Sequence, residues 1–281
     1  MERRQHYQNG RPTLYLIPTP IGNLGDMTYR AVDTIRAVDV LYAEDTRVSQ
    51  GLLRHFELHK QLRSYHEHNK ATETAVLVGF LREGKSVGLM TDAGMPLISD
   101  PGFEAAAAAA AEGYNVVALP GANAALAGLA MSGLPPCPFS FAGFPDHKQG
   151  KRMKELEALS GRIETLVFYE APHRMKETLM DMHRAFGDRR AAVLREITKI
   201  YEEAVTGMLS ELAAIDEWVG ENVIVVAGRS EADVPAPSID VKAAVDDLIA
   251  AGSSRTEAMK RVAARMGVPK SVVYRTYLEQ K

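Results

Sequence analysis

The stretch Val87–Gly102, VGLMTDAGMPLISDPG, limits the folds open to this chain more than any other part of it. Val87–Met90 is an apolar run of the length of a buried strand, and Asp92-Ala93-Gly94-Met95-Pro96 makes a small-residue loop behind it. Ser99-Asp100-Pro101 predicts a helix start, with Asp100 capping the free amides and Pro101 at the first helical position, where no amide partner is missed. Ala105–Ala111 supplies the helix body, since alanine has the highest helix propensity. A strand that empties into a small-residue loop and then a helix is how α/β sheets build ligand crevices at the carboxyl ends of their strands. An ordinary crossover needs neither two aspartates nor a glycine-proline turn, so this loop is expected to face a ligand.

The same order recurs along the chain. Thr13–Ile17 predicts a first strand, followed by the stiff loop Pro18–Asp26, a helix over Thr28–Val38 and a second strand at Val40–Ala43 that ends in Glu44-Asp45-Thr46-Arg47. A helix is expected across Val48–Phe56, then the polar, histidine-bearing Ser64–Asn69 and a helix over Glu73–Arg82. Another strand, Val116–Leu119, ends in Pro120-Gly121-Ala122-Asn123-Ala124. Strands and helices alternating at this spacing predict a mostly parallel, doubly wound sheet. The small-residue segment Ala125–Pro138 reads as a helix closing against the first domain, then a turn.

Beyond it the pattern changes. Strands at Phe139–Gly143, Thr165–Glu170, Ala191–Glu196, Glu202–Gly207 and Asn222–Ala227, with helices only at Gly150–Leu159 and Met175–Phe186, predict a mixed second sheet. Pro235 and Pro237 mark a linker, and the segment from Val241 on is helical in pattern. There Arg255–Met266, the turn Gly267-Val268-Pro269 and Lys270–Leu278 resemble a helix-turn-helix. A chain of 281 residues is long enough for about two domains. The expected division is a polar tail at 1–12, α/β domains at 13–124 and 125–229, a linker at 230–238 and a helical module at 239–281.

Composition narrows the function classes. No apolar run approaches the roughly 20 residues that span a bilayer, and the polar start MERRQHYQNGR lacks the apolar core of a signal peptide. A single cysteine, Cys137, excludes an internal disulfide framework and fits a reducing cytoplasm. A net charge of −3 provides no global basic field, so an anionic macromolecule would be met by local patches. His147–Lys154, His173–Lys176 and the 252–281 segment, whose seven Lys or Arg against two Glu give +5, are such patches. Each alone is by default a solvated helix face; three of them on an acidic protein point to an anionic partner.

Two familiar strings are set aside. Gly79-Phe-Leu-Arg-Glu-Gly84-Lys85-Ser86 matches the phosphate-binding P-loop, but here a helix precedes it and a strand follows, the reverse of what phosphate binding needs. Gly84 is more simply a helix end. The Pro18–Asp26 loop lacks the G-x-G-x-x-G spacing of a dinucleotide fingerprint. His66 and His68, two apart, have no clear third ligand for a metal, so no metal site is expected. Glu44, Asp45 and Arg47 read equally as an internal ion pair or as site residues at a strand's carboxyl end.

Taken together, LYLIPTPIGNLGD, YAEDTR, DAGMPLISDPG, VVALPGANAAL, FAGFP, FYEAPHR and REITKIYEE, in that order, resemble the tetrapyrrole-methylase-like class of S-adenosylmethionine-dependent methyltransferases. Within it they are similar to the ribosomal RNA small-subunit methyltransferase I branch, to which EDTR, HEHN and FYEAPHR are specific. The resemblance covers about Leu14–Gly228 and continues into the C-terminal helices. It implies two α/β domains with the cofactor in the cleft between them, a homodimer, and 2′-O-methylation of a cytidine ribose in the decoding region of small-subunit ribosomal RNA. Asp92, Gly94, Pro96, Ile98, Asn123, Ala124, Glu170 and Ile197 are then the expected cofactor-binding residues. Asp45, Arg47, His66, Asn69 and Lys199 are the expected groups that orient or deprotonate the ribose hydroxyl. Met95 stands where the branch usually has Thr or Ser, and Ala122 and Asn123 where Pro and Ser or Cys are usual. Two rivals carry different predictions: a corrin or porphyrin carbon methylase with an apolar aromatic cleft, and a non-catalytic RNA-binding assembly factor with no affinity for S-adenosylmethionine.

Overall fold

The structure is a computed structural model that describes residues 10–230 and 240–279. The expected tail up to residue 9 and the expected linker beyond Ser230 lie outside the described residues. The chain runs β1 (Thr13–Ile17), α1 (Tyr29–Ala37), β2 (Val40–Ala43), α2 (Thr46–His55), β3 (Leu62–Ser64), α3 (Lys70–Arg82), β4 (Val87–Met90), α4 (Phe103–Ala111) and β5 (Asn115–Ala118). These strands form a sheet in the order β3-β2-β4-β1-β5, parallel throughout. Both faces of the sheet are covered, which is why β4 is buried at all four positions rather than at alternate ones. Leu14, Leu16, Val87 and Leu89 pack with Leu77 and Leu81 of α3 and the alanines of α4. Ile17, Leu41 and Met90 pack on the other face with Ile35 of α1 and Leu53 of α2.

The start of α4 differs from expectation. The helix begins at Phe103 with Gly102 as its cap, at φ +130°, and neither Asp100 nor Pro101 takes the expected place. The cause is packing: a Cβ on Gly102 would meet Leu89 Cδ2 at 2.8 Å and Leu97 Cδ1 at 2.9 Å, so only glycine lets the loop close on the core here. Strand β3 was not expected; three residues at a sheet edge carry too little alternation to be read from sequence. The P-loop match falls on the end of α3, with Gly84 at φ +84° just past its cap and β4 following.

After α5 (Ala124–Met131) come β6 (Phe139–Gly143), α6 (Gln149–Leu159), β7 (Thr165–Glu170), α7 (Met175–Phe186), β8 (Arg190–Arg195), β9 (Glu203–Met208), α8 (Leu209–Ala213) and β10 (Asn222–Val226). The second sheet is mixed, ordered β6-β7-β10-β8-β9, with only β6 and β7 parallel. One face buries Leu156, Met175, Leu179 and Met182 from α6 and α7. The other receives Ala125 and Leu129 of α5, and Ile21 from the loop after β1. Gly128 makes this close approach workable, since a Cβ there would meet Val223 Cγ1 at 2.9 Å. Finally α9 (Val241–Ala250), α10 (Arg255–Met266) and α11 (Lys270–Glu279) share an apolar centre of Val245, Met259, Val262 and Val273. Asp240 and Ser254 cap the first two helices, and Gly267, where a turn was expected, ends α10 in the left-handed conformation. No described helix is long and apolar enough to cross a membrane.

Candidate active site

The loops at the carboxyl ends of β1, β4 and β5 are tied together by backbone. Thr19 and Gly94 exchange two hydrogen bonds of 3.0 Å each, and the Thr19 hydroxyl donates to the Thr91 carbonyl at 3.2 Å. Gly121 lies so close to Pro18 that a Cβ would sit 2.5 Å from its ring. Facing these loops is the second sheet, joined to them where the Tyr169 hydroxyl accepts from the Ala125 amide at 3.0 Å. Between the two lies a cavity of about 330 Å³, mostly apolar, large enough for a nucleoside-sized ligand.

The walls of this cavity hold unusual backbone. Among the described non-glycine residues with positive φ, Leu97 and Ser99 belong to one wall loop and Glu196 and Thr198 to the opposite one. Such conformations cost about 1–3 kcal/mol each and persist where surrounding structure over-determines them, commonly at ligand sites. Gly94, at φ +89°, holds a conformation that favours glycine, and a Cβ there would meet Ile21 Cγ2 at 3.3 Å. It leaves the backbone open to a ligand.

Six of the eight expected cofactor residues line this cavity: Gly94, Ile98, Asn123, Ala124, Glu170 and Ile197. Asn123 and Glu170 present little free side chain, because the Asn123 amide oxygen accepts from Leu126 N at 3.0 Å. The Glu170 carboxylate takes Ala171 N, Arg174 and Thr178. Asp92 points elsewhere. Its carboxylate accepts from Asp45 N at 3.0 Å and faces a separate hollow beside Thr19, Val48 and Ser49. Pro96 is not among the lining residues. Asn222, Asp100, Tyr169 and Phe144 line the cavity and were not expected there. Asn222 opens a plain strand sequence, and Asp100 carries the signature of a helix cap, so local pattern had nothing to say about either.

The expected catalytic residues fall into two groups. At the carboxyl edge of the first sheet, Asp45 caps α2 and holds Arg47 through its carboxylate at 2.7 and 3.1 Å. The Arg47 bonds keep the Asp45 carboxyl down at about 2, a poor proton acceptor. Asn69 pins the turn after β3, accepting from His66 N at 2.8 Å and donating to the Ser64 carbonyl at 3.0 Å. His66 Nδ1 is buried with no partner among the described residues, and the imidazole faces Glu44. Lys199 stands apart from these, on the second wall. It lies over Gly22 and bridges Glu196 at 3.0 Å and Glu221 at 3.1 Å. Although burial opposes it, those two carboxylates raise the Lys199 ammonium above its ordinary value. It is therefore a charge that binds and orients.

Glu44 and Asp100 are shifted upward. Burial, then the charge of Asp92, raises the Glu44 carboxyl, while His66 pulls it down. Burial, then Glu44 and Asp92, pushes Asp100 up to about 7.

Residues 13–213 match the model of the tetrapyrrole (corrin/porphyrin) methylases. The chain belongs to the tetrapyrrole methylase family. Methyl transfer in this family depends on S-adenosylmethionine. Among solved tetrapyrrole methylase folds, a diphthine synthase superposes with a TM-score of 0.59 at 15% identity, covering 78% of this chain and 90% of that one. A uroporphyrin-III-C-methyltransferase from Thermus thermophilus superposes at 0.55 with 22% identity, covering 77% and 94%. Much nearer in sequence is the ribosomal RNA small subunit methyltransferase I of Bacillus subtilis (strain 168), 46% identical over 99% of both chains. That similarity runs through the C-terminal helices, beyond the end of the family match, and places the chain in that branch.

Proposed function

We propose that the chain methylates the ribose 2′-hydroxyl of a cytidine in the decoding region of small-subunit ribosomal RNA. The observation that carries this reading is the 46% identity, over 99% of both chains, to a relative named for that ribosomal subunit. The corrin and porphyrin alternative is supported by the name of the family model, which covers the class at large, and by folds 22% identical or less, which speak for architecture alone. The residues present fit the cofactor. The cavity is largely apolar, Gly94 opens backbone to a ligand, and the buried Asn222 Oδ1 lacks a donor among the described residues.

S-adenosylmethionine, when bound, supplies a methyl group already activated for transfer. Ile98, Ala124 and Ile197 exclude water around it, and the backbone at Gly94 and Ala124 approaches its polar edges. A ribose hydroxyl is a poor nucleophile until its proton leaves. Of the expected groups, His66 is the one set beside a carboxylate, Glu44, and not locked in an ion pair as Asp45, Arg47 and Lys199 are, so we assign that proton to it. Asp45 with Arg47, and Lys199 on the opposite wall, orient the nucleotide. Arg255, Lys260, Arg261, Arg265, Lys270 and Arg275 are exposed on α10 and α11 and hold phosphates around the target. The same reading makes the protein a cytoplasmic homodimer acting on the small subunit.

The test is incubation of the purified protein with labelled S-adenosylmethionine and small subunits lacking the modification, followed by nucleoside analysis. Labelled 2′-O-methylcytidine is expected. Label in an added tetrapyrrole, with none in the RNA, overturns the reading.

A further inference from the structure

The cavity wall carries an electrostatic imbalance that the methyl-transfer reading does not use. Asp100 lines the cavity, and the charged groups facing it are Glu44 from the end of β2 and Asp92 from the end of β4. Tyr169 of β7 feels Asp100 from the second sheet, and the Thr91 hydroxyl partly offsets the repulsion. Behind them, Glu44 also faces Asp45 and His66. The cations nearest in the chain are all engaged elsewhere. Arg47 holds Asp45, Lys70 holds Glu67 and Glu104, and Lys199 holds Glu196 and Glu221. Three carboxylates thus stand together, with the His66 imidazole beside Glu44 and no lysine or arginine paired to any of them among the described residues.

A second feature of the same cavity asks for a hydrogen-bond donor on its occupant. Asn222 is 4% exposed; its amide nitrogen donates to the Gly220 carbonyl at 2.8 Å, while its Oδ1 has no donor among the described residues. An acceptor buried alone is costly until an occupant donates a hydrogen bond to it.

We propose that Asp100, with Glu44 and Asp92 behind it, makes this cavity read the charge of its occupant, binding the sulfonium cofactor in preference to the thioether that methyl transfer leaves. This rests on reading the cavity as the cofactor site. The two molecules differ by one methyl group and one positive charge, and of these only the charge can make the preference depend on pH through a titrating group. Near pH 7 the Asp100 carboxyl is part protonated. A sulfonium draws it toward the carboxylate and a proton leaves to solvent; the thioether does not, and the coupling is reciprocal. Loss of the charge on transfer then loosens the product, which favours turnover.

Calorimetric titration of the full chain with S-adenosylmethionine and with S-adenosylhomocysteine, from about pH 5.5 to about pH 8.5, tests this. The preference for the sulfonium is expected to grow about tenfold across that range, the effect of a one-unit pKa shift on binding. In Asp100→Asn the preference is expected to be small and flat, with Glu44→Gln intermediate. At pH 7, titration in two buffers of different ionisation enthalpy is expected to show proton release on sulfonium binding that Asp100→Asn lacks. A pH-independent preference in the wild type, or an unchanged one in both variants, overturns the proposal. Ala124→Trp, which fills the cavity, separates the two failures. If it blocks both ligands while Asp100→Asn behaves as wild type, the cofactor site stands and the charge reading falls. If both ligands bind Ala124→Trp unchanged, the site itself is wrong.

Discussion

Two groups of inward-facing carboxylates in this protein have opposite surroundings. In the second half of the chain, Asp181 and its partner Arg152 are each 1% exposed. Asp181 takes Arg152 Nε at 2.9 Å and a second guanidinium nitrogen at 2.7 Å, with Arg184 and Gln149 on its other oxygen. Glu170 is likewise filled by Arg174, Thr178 and its own neighbour's amide. Glu44, Asp92 and Asp100, at the carboxyl edge of the first sheet, meet one another and the His66 imidazole rather than a guanidinium or ammonium. Satisfied carboxylates hold elements in place; unsatisfied ones hold a site ready for a ligand, at a cost in stability. The contrast also corrects the sequence-based view of the basic patches. Arg152 and Arg174 sit in two of them, yet both turn inward to these carboxylates, which leaves the C-terminal helices as the more complete cationic surface.

The contrast breaks first if the paired group proves dispensable. Arg152→Ala leaves Asp181 buried without its guanidinium and is expected to lower unfolding free energy by about 3–5 kcal/mol in urea, whereas Arg152→Met with Asp181→Leu recovers most of it. An Arg152→Ala protein of normal stability contradicts the structural role. Next in size, His66→Ala is expected to slow methyl transfer at saturating substrate by roughly a hundredfold to ten-thousandfold with little change in melting temperature. A full-rate variant would remove His66 from the proton path.

A smaller effect concerns Asp100. Its carboxyl is raised in the fold, so the stability tied to its neutral form is present at low pH and lost as pH rises through about 7. Asp100→Asn is therefore expected to stabilise the ligand-free protein at pH 8 by about 1–2 kcal/mol, less than the full shift implies because the cavity admits water. The difference should shrink as pH falls through the range between about 7 and 3.8 and vanish only below about pH 4, and a difference that grows on acidification would refute the sign. The smallest change is expected for Asp45→Asn. Asparagine caps a helix as well as aspartate, so melting should move by no more than about 2 °C, while RNA binding weakens through a loosened Arg47.

Much of the scaffold follows from local pattern. Val40–Ala43, Val87–Met90, Thr165–Glu170 and Met175–Phe186 fall where apolar runs and helical spacing put them, and the reversed helix–strand order correctly dismisses the P-loop string. The family resemblance, rather than local pattern, pointed to Gly94, Ala124 and Ile197, which line the cavity. The errors lie where distant segments meet. Asp92 and Asp100 stand eight positions apart in one loop. Asp92 turns toward Asp45, and Asp100 turns into the cavity, because Gly102 rather than Asp100 starts α4.

The amino-acid order alone determined the alternation of strands and helices and the glycine- and proline-rich turns, because these depend on propensity and periodicity within a few residues, and its ordered motifs carried the resemblance to the family. Only the tertiary structure decided which carboxylates were neutralised and which were left facing a cavity. That outcome depends on the charges brought within a few ångströms by chain segments such as β2, β4 and α7, and electrostatic energy is a property of distance in space.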